Sequence, residues 1–194
     1  MFNFNALVSR IKYIPRWSLM RQSRQEYLAE HTTEVMHIAH TLALVAKEKF
    51  SAEVDEKNIV ICGLYHDISE ILTGDMPTPV KYNDVVLKRA YKDMERKATE
   101  KMMETIDPAI KSSLAPFVTA DILNEREKKI LKAADKLSAL IKCMEEVSCG
   151  NSEFRFALES TEKSLKEMNL AEVNYFMENM LPSYNMCLDQ LAKI

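Results

Sequence analysis

Apolar residues recur along most of this chain at the three- and four-residue spacing of amphipathic helices. The clearest stripe consists of Val35, Ile38 and Leu42. These residues follow His31 at intervals of four, seven and eleven, so His31 heads the core-facing row. His40 lies nine residues beyond His31, about half a turn round the helix, and should face away from the core. The pattern therefore predicts a helix from about residue 30 whose buried face includes one histidine.

A second helix is predicted to begin at Asp55, because a carboxylate suits the positive N-terminal end of a helix dipole. Its apolar face continues to His66 and Glu70, which are four residues apart. Gly74 is expected to cap its C-terminus. The adjacent pair His66 and Asp67 is therefore predicted to lie on a helix.

The remaining pattern predicts further helices joined by short connections. They comprise a short N-terminal helix ending near Pro15, a long charged helix over 85–103, a short turn at 114–117, a long helix from Glu125 to Gly150, and helices over 152–168 and 172–191, the last interrupted near Pro182. Asp135 falls beside the apolar stripe of its helix, among small residues that suit a cleft wall. The predicted fold class is all-α, with residues 1–194 forming a single domain.

Composition agrees with this fold and excludes several function classes. Three glycines and six prolines disfavour a many-turned β architecture, and a hydrophobic fraction of 47% supports a real core. A net charge of −3 gives no reason to expect duplex nucleic acid as a partner. The longest apolar run, Ile59–Tyr65, is too short to span a membrane, and no signal-peptide pattern opens the chain. We therefore expect a soluble cytoplasmic protein.

Four candidate metal ligands stand on three predicted helical segments: His31, His66, Asp67 and Asp135. Two imidazoles and two carboxylates suit a divalent transition metal better than Ca²⁺. Taken singly, each histidine is better explained as a satisfied core residue, and Asp135 as a cap or surface charge. Taken together, the set favours a metal site built from inward-facing side chains of a helical bundle.

Several segments resemble the bacterial 5′-deoxynucleotidase family of the HD-domain metal-dependent phosphohydrolase superfamily. They are Arg16–Arg21, Glu30–His31, Tyr65–Glu70, Leu72–Tyr82 and Lys132–Asp135. The H…HD…D set alone is similar to the superfamily. The RW segment, residues 16–21, and the LTGDMPTPVKY segment, residues 72–82, carry the resemblance to the family. The similarity extends over nearly the whole chain. It implies an HD-domain helical bundle.

The resemblance implies that one divalent ion, Co²⁺, Mn²⁺ or a similar transition metal, is bound by His31, His66, Asp67 and Asp135. It also implies a homodimer. The substrate-binding positions that it implies are Arg16, Trp17, His31, Asp67, Asp75, Met76, Pro77, Thr78 and Asp135.

Three residues, Arg16, Asp75 and Glu70, are the candidates for catalytic roles. Arg16 orients the phosphate, for which a planar guanidinium is a suitable donor. Asp75 accepts a hydrogen bond from the sugar 3′-hydroxyl or positions water, and Glu70 activates the attacking water. The alternatives are structural: a solvated charge for Arg16, a turn cap for Asp75, and for Glu70 a hydrogen bond that fixes the tautomer of His66. Trp17 either walls the sugar and base or anchors its loop.

The predicted function is hydrolysis of deoxyribonucleoside 5′-monophosphates to the deoxyribonucleoside and phosphate. One alternative is another HD-domain phosphohydrolase, acting on an alarmone or a cyclic dinucleotide. Alarmone hydrolases carry Glu-Asp after the HD pair, whereas here Glu70 precedes Ile71, and the Gly-Tyr-Pro companion of the cyclic-dinucleotide enzymes is absent. The other alternative is a non-catalytic nucleotide-binding module, against which the complete ligand set argues.

Overall fold

The computed structural model describes residues 1–77 and 84–192, and its regular secondary structure there is helical apart from one isolated antiparallel bridge between Pro15 and Tyr27. The α-helices are α1 (Phe4–Val8), α2 (Leu28–Phe50), α3 (Glu56–Tyr65), α4 (Glu70–Thr73), α5 (Val85–Glu104), α6 (Pro108–Val118), α7 (Glu125–Ser148), α8 (Arg155–Glu167), α9 (Ala171–Asn179) and α10 (Leu188–Ala192). Segments Ser9–Tyr13, Ser152–Phe154 and Leu181–Asn185 are 3₁₀ helices. The predicted all-α fold class is confirmed. Among the described helices, none combines the length and apolarity needed to cross a membrane.

The chain divides into two compact units, as far as its residues are described. The first contains residues 1–21, 25–33 and 61–122, and the second contains residues 22–24, 34–60 and the part from 123 onward. Both units contribute buried apolar side chains, as a stable helical fold requires.

The core of the first unit lies directly under the His66–Asp67 pair. Its buried cluster consists of Phe4, Ile68, Met102, Ile106 and Val118. Ile68 is only 4% exposed and follows Asp67 in the chain, so core packing anchors the segment that carries the two candidate ligands.

The prediction that His66 and Asp67 lie on a continuous helix is wrong. Helix α3 ends at Tyr65, and residues 66–69 form a turn before α4 begins at Glu70. His66 Nδ1 donates to the carbonyl oxygen of Gly63 at 2.7 Å. In a continuing helix, that oxygen would accept instead from the amide of Asp67. The backbone then forms a tighter turn of the 3₁₀ type, in which the amide of Ile68 donates to the carbonyl of Tyr65, three residues earlier.

Two other boundaries follow from end signals in the sequence. Helix α4 ends at Thr73, as predicted, and Gly74 follows it with a φ of +74°, a backbone angle that glycine adopts readily. Helix α6 is longer than the predicted turn at 114–117 because Asp107 accepts the amide of Ala109 and Pro108 starts the helix. Pro116 lies in the last turn of α6, two residues before its end, and does not end it.

Helix α7 organises the second unit and matches its predicted range closely. Asn124 and Glu127 form a capping box at its start, with all three hydrogen bonds between 2.9 and 3.0 Å. The predicted apolar stripe is buried at Ile130, Ala134, Leu137 and Ile141. This face packs within the unit against α8 and the two later 3₁₀ segments.

Glu146, near the end of α7, ties the segment 22–24 to the second unit. Its carboxylate is 1% exposed and accepts from the amide of Ser23 at 2.8 Å and from the ammonium of Lys142 at 2.5 Å. Asn151 donates to it as well, at 2.8 Å. Burial alone would raise the pKa of Glu146, but these hydrogen bonds lower it from 4.5 to about 2.

This depressed pKa predicts a steep acid dependence of folding. A carboxyl whose pKa is lowered in the folded state stabilises the protein above its unfolded value of 4.5, and the contribution is lost as the pH falls towards about 2. The full difference is worth roughly 3 kcal/mol. We expect Glu146→Gln to flatten the decline in the free energy of unfolding between pH 4.5 and 3, measured by urea titration at each pH. Glu125→Gln, at an exposed position on the same helix, should keep the wild-type slope. Equal slopes in wild type and Glu146→Gln would contradict the assignment.

Candidate metal centre

The turn after α3 fixes the tautomer of His66. A carbonyl oxygen can only accept, so the ring Nδ1 carries the proton that it donates to Gly63. In the neutral ring, Nε2 then presents an unshared electron pair on the opposite side. The hydrogen bond that His66 donates to Gly63 therefore fixes the tautomer of His66 and prepares its Nε2 as a ligand.

Two further candidate ligand atoms of the first unit lie close to this nitrogen. His66 Nε2 lies 3.0 Å from Asp67 Oδ2 and 3.3 Å from His31 Nε2, and the last two atoms are 3.5 Å apart. His31 is fully buried in the first turn of α2, as its place in the apolar stripe predicts. The two histidines come from distant parts of the chain, and α2 and the turn after α3 bring them together.

The spacing of these atoms fits a bound cation. Ligands about 2.1 Å from one metal ion lie about 3.0 Å apart at a right angle and about 3.4 Å apart at a tetrahedral angle. The observed separations of 3.0, 3.3 and 3.5 Å cover this range. Electron pairs of a carboxylate and an imidazole that face one another at such distances repel unless a proton or a cation lies among them. Two imidazoles and a carboxylate are ligands that divalent transition metals prefer.

The electrostatics of Asp67 agree with this arrangement. Burial raises the pKa of its carboxyl, but the positive charge of His66 and hydrogen bonds from His31 and His66, when these rings are protonated, hold the pKa well below its usual range, and a cation bound beside neutral rings would act in the same direction. The carboxylate is therefore ionised and available to a cation throughout the neutral pH range.

Glu70 is the next ionisable side chain along the turn. It is the first residue of α4 and is only 7% exposed. Its amide donates to the carbonyl of Asp67 at 3.0 Å, which fixes the backbone of Glu70 relative to the ligand. A buried carboxylate four residues after His66 and three after Asp67 is suitably placed in the chain to serve a reaction at the cluster.

The RW segment is joined to the loop after α4 by a hydrogen bond. Trp17 has a φ of +58°, and its amide donates to Asp75 Oδ2 at 3.3 Å. The guanidinium of Arg16 lies over the indole ring, 5.9 Å from its centroid. Three of the residues that the sequence assigned to the substrate, namely Arg16, Trp17 and Asp75, therefore lie together in the first unit.

The pKa of Asp75 links this loop to the metal ligands. Burial raises the pKa of Asp75, while the positive charge of Arg16 and the amide of Trp17 oppose that change. The negative charge of Asp67 raises the pKa further, and His31 lowers it. The pKa of Asp75 thus depends both on Arg16, the candidate for phosphate binding, and on the candidate metal ligands Asp67 and His31. Met76 and Pro77 are half-buried, and Thr78 lies outside the described residues.

Asp135 belongs to the second unit, where it lies on α7 between the buried residues Ala134 and Leu137. Its own side chain is half-buried, in keeping with the predicted position beside the apolar stripe. A half-exposed carboxylate on a helix with a buried face can serve as a ligand without disturbing the core.

The sequence prediction missed Glu26. This glutamate is 6% exposed, and its carboxylate accepts from both Arg16 and Trp17. The sequence offers one signal for Glu26, which is that a charged residue stands shortly before Leu28, the first buried position of α2. The carbonyl of Gly63 was also missed, because a backbone acceptor leaves no trace in the residue pattern.

Known proteins resemble this chain throughout its length. The family model described as 5′-deoxynucleotidase YfbR-like matches residues 3–184. A 5′-deoxynucleotidase of Cronobacter sakazakii is 40% identical over 191 residues, which cover 98% of this chain and 96% of that protein.

Solved structures show the same fold. An HD-domain phosphohydrolase from Listeria innocua has a TM-score of 0.82 and 25% identity, with 94% of this chain and 88% of that chain covered. The HD phosphohydrolase of cyanophage S-2L, solved with dA and one catalytic Zn²⁺ ion, has a TM-score of 0.69 and 18% identity, with 92% and 96% covered. These likenesses and the His-Asp cluster confirm the HD-domain helical fold. The match of the family model to almost the whole chain, together with full-length identity to the Cronobacter enzyme, shows that this chain belongs to the YfbR-like 5′-deoxynucleotidase family.

Proposed function

We propose that this 5′-deoxynucleotidase hydrolyses deoxyribonucleoside 5′-monophosphates with one divalent metal ion bound by His31, His66, Asp67 and Asp135. The observation that carries the proposal is the convergence of His31 Nε2, His66 Nε2 and Asp67 Oδ2 at separations of 3.0 to 3.5 Å. Asp135 is the proposed fourth ligand because it corresponds to the last aspartate of the H…HD…D signature and is half-buried on α7. The products are the deoxyribonucleoside and inorganic phosphate.

The ion is proposed to be Co²⁺, Mn²⁺ or a similar transition metal. A set of two imidazoles and two carboxylates binds such ions in preference to Ca²⁺ and Mg²⁺, which prefer oxygen ligands. The Zn²⁺ ion of the cyanophage enzyme supports the same class of metal. When bound, such an ion would polarise the phosphate and make the attacking water more acidic.

The protein supplies the remaining groups of the reaction. Glu70 accepts the proton of the attacking water, since a buried carboxylate one turn beyond His66 is a suitable general base. Arg16 donates to the phosphate oxygens and compensates the negative charge that develops on them. Trp17 lies against the Arg16 guanidinium and donates its amide to Asp75, so the phosphate and the sugar are proposed to bind to adjoining parts of one surface.

Asp75, Met76, Pro77 and Thr78 are proposed to contact the sugar and base. Asp75 accepts a hydrogen bond from the 3′-hydroxyl, and its position relative to the amide of Trp17 supports this role. Trp17 offers the flat face of its indole to the nucleoside. His31, Asp67 and Asp135 are proposed to contact the substrate as well, a role that the family resemblance supports.

Three broader features belong to the proposal. Residues 1–194 act as a single HD domain, as the match of the family model to residues 3–184 supports. The protein works in the cytoplasm, which agrees with four cysteines that are all free thiols. It forms a homodimer, a feature supported by the family resemblance.

A phosphate-release assay across matched nucleotides tests this function. Purified protein stripped with a chelator is offered dAMP, AMP and 3′-dAMP, first alone and then with Co²⁺ or Mn²⁺. We expect phosphate from dAMP only after metal is restored, with AMP and 3′-dAMP hydrolysed far more slowly. Glu70→Gln protein purified in parallel corrects for contaminating phosphatases. Full activity of the stripped protein, or equal activity towards dAMP and 3′-dAMP, would contradict the proposal.

A further inference from the structure

Glu26 joins the two substrate-binding candidates of the RW segment through one carboxylate. Its Oε1 accepts from Arg16 Nη1 at 3.0 Å, and its Oε2 accepts from the indole nitrogen of Trp17 at 2.7 Å. The Arg16 and Glu26 side chains are only 12% and 8% exposed. Charge-assisted hydrogen bonds at these distances, away from bulk water, are among the strongest that side chains form.

The backbone around Glu26 fixes the same geometry. The amide of Arg16 donates to the carbonyl of Glu26 at 3.0 Å, beside the bridge between Pro15 and Tyr27. The side-chain amide of Gln25 donates to the carbonyls of Arg16 and Glu26, at 3.2 and 3.1 Å. The backbone segments at Arg16 and Glu26 are thus paired, and the Glu26 carboxylate holds the side chains of Arg16 and Trp17.

Such a clamp matters because both side chains are otherwise adaptable. Arg16 has a long chain with many rotamers, and Trp17 lies in a left-handed backbone conformation with a φ of +58°. Fixing them before the nucleotide binds removes an entropic cost from binding and from the transition state. The two oxygens of Glu26 set the guanidinium plane and the indole plane relative to each other.

We propose that Glu26 is a positioning residue that pre-orients Arg16 for the phosphate and Trp17 for the nucleoside. The proposal rests on the proposed function, which assigns those two side chains to the substrate. Glu26 itself does not touch the nucleotide. Its effect on catalysis passes through its two hydrogen-bond donors.

A double-mutant cycle tests this coupling. We expect Glu26→Gln, which keeps the size of the side chain but replaces one of its two accepting oxygens with an NH₂ donor, to lower kcat/KM for dAMP about 10- to 100-fold. In a background that already carries Arg16→Ala and Trp17→Phe, the same change should lower kcat/KM less than about twofold, because the side chains it positions are gone. An equal loss in both backgrounds would overturn the proposal.

Two measurements separate positioning from folding. Glu127→Gln is the matched control, since Glu127 is also buried, at 5% exposed, and accepts two backbone amides in the second unit. Glu127→Gln should keep kcat/KM near the wild-type value. The amount of bound metal should remain unchanged in both Glu26→Gln and Glu127→Gln. Loss of activity in Glu127→Gln equal to that in Glu26→Gln would assign the effect to general destabilisation.

Trp17 is the sole tryptophan in the chain, so the wild-type protein gives a readout that needs no variant. Its indole N–H should give one nuclear magnetic resonance signal that exchanges slowly with deuterium, because Glu26 accepts from it. Fast exchange of this signal would overturn the positioning role even if Glu26→Gln failed to fold. Conversely, a protected signal in a protein that releases no phosphate from dAMP would reject the proposed function and leave the Glu26 clamp intact.

Discussion

Replacing His66 with alanine is expected to abolish metal binding and to reduce turnover of dAMP by about 1,000-fold or more. The reason is geometric. His66 Nε2 is the atom closest to both other ligands of the first unit, and the Gly63 carbonyl orients it. Without it, the carboxylate of Asp67 and the nitrogen of His31 would bind an ion through fewer ligands.

The measurement pairs metal content with phosphate release. Wild-type protein should carry about one equivalent of divalent metal after reconstitution with Co²⁺ or Mn²⁺, whereas His66→Ala should carry little. His40→Ala is the matched control, because His40 is an exposed histidine on α2 and should leave both quantities unchanged. A His66→Ala protein with full metal content and normal turnover would remove the basis of the proposed metal site.

The positions of the ligands follow from helical periodicity to different extents. His31 was predicted from the apolar stripe of α2, and it is fully buried because the period of an α-helix places it on the core side. Asp135 was likewise predicted beside the stripe of α7 and is half-buried. Periodicity is reliable here because both helices exceed 20 residues and bury one face along their whole length.

Helical periodicity gave the wrong local structure at His66 and Asp67, because the chain leaves the helix after Tyr65. Successive residues on an α-helix point about 100° apart, so a continuous helix would separate the two side chains. The turn after Tyr65 brings His66 Nε2 and Asp67 Oδ2 to within 3.0 Å instead. The carbonyl of Gly63, which ends the helix by accepting from His66, is a backbone group that no residue pattern reveals.

The RW segment could be identified by resemblance but not explained from the sequence. Arg16 and Trp17 carry no periodic signal, and their arrangement depends on Glu26, ten and nine residues away. A hydrogen bond between two irregular segments requires the fold before it can be seen. The junction between Trp17 and Asp75 spans 58 residues and is unpredictable for the same reason.

Replacing Glu70 with glutamine is expected to lower kcat for dAMP by about 100- to 10,000-fold and to leave KM within a few-fold of wild type. Glutamine preserves the size of the side chain at this 7% exposed position but cannot accept a proton from water. The metal content should stay at the wild-type value, because Glu70 is not one of the proposed ligands. The acidic limb of the pH–rate profile, which reports ionisation of the base, should change with the substitution.

Glu172→Gln provides the matched control for Glu70→Gln. Glu172 is a fully buried glutamate on α9, 3.4 Å from Arg126, so its substitution perturbs folding at least as much without touching the proposed site. Circular dichroism melting curves and fluorescence titration with dAMP are recorded for both variants. A role in activating water requires that Glu70→Gln bind dAMP normally and turn it over slowly while Glu172→Gln keeps its turnover. Unchanged turnover in Glu70→Gln would assign proton removal to another group, and weakened dAMP binding with unchanged kcat would make Glu70 a binding residue.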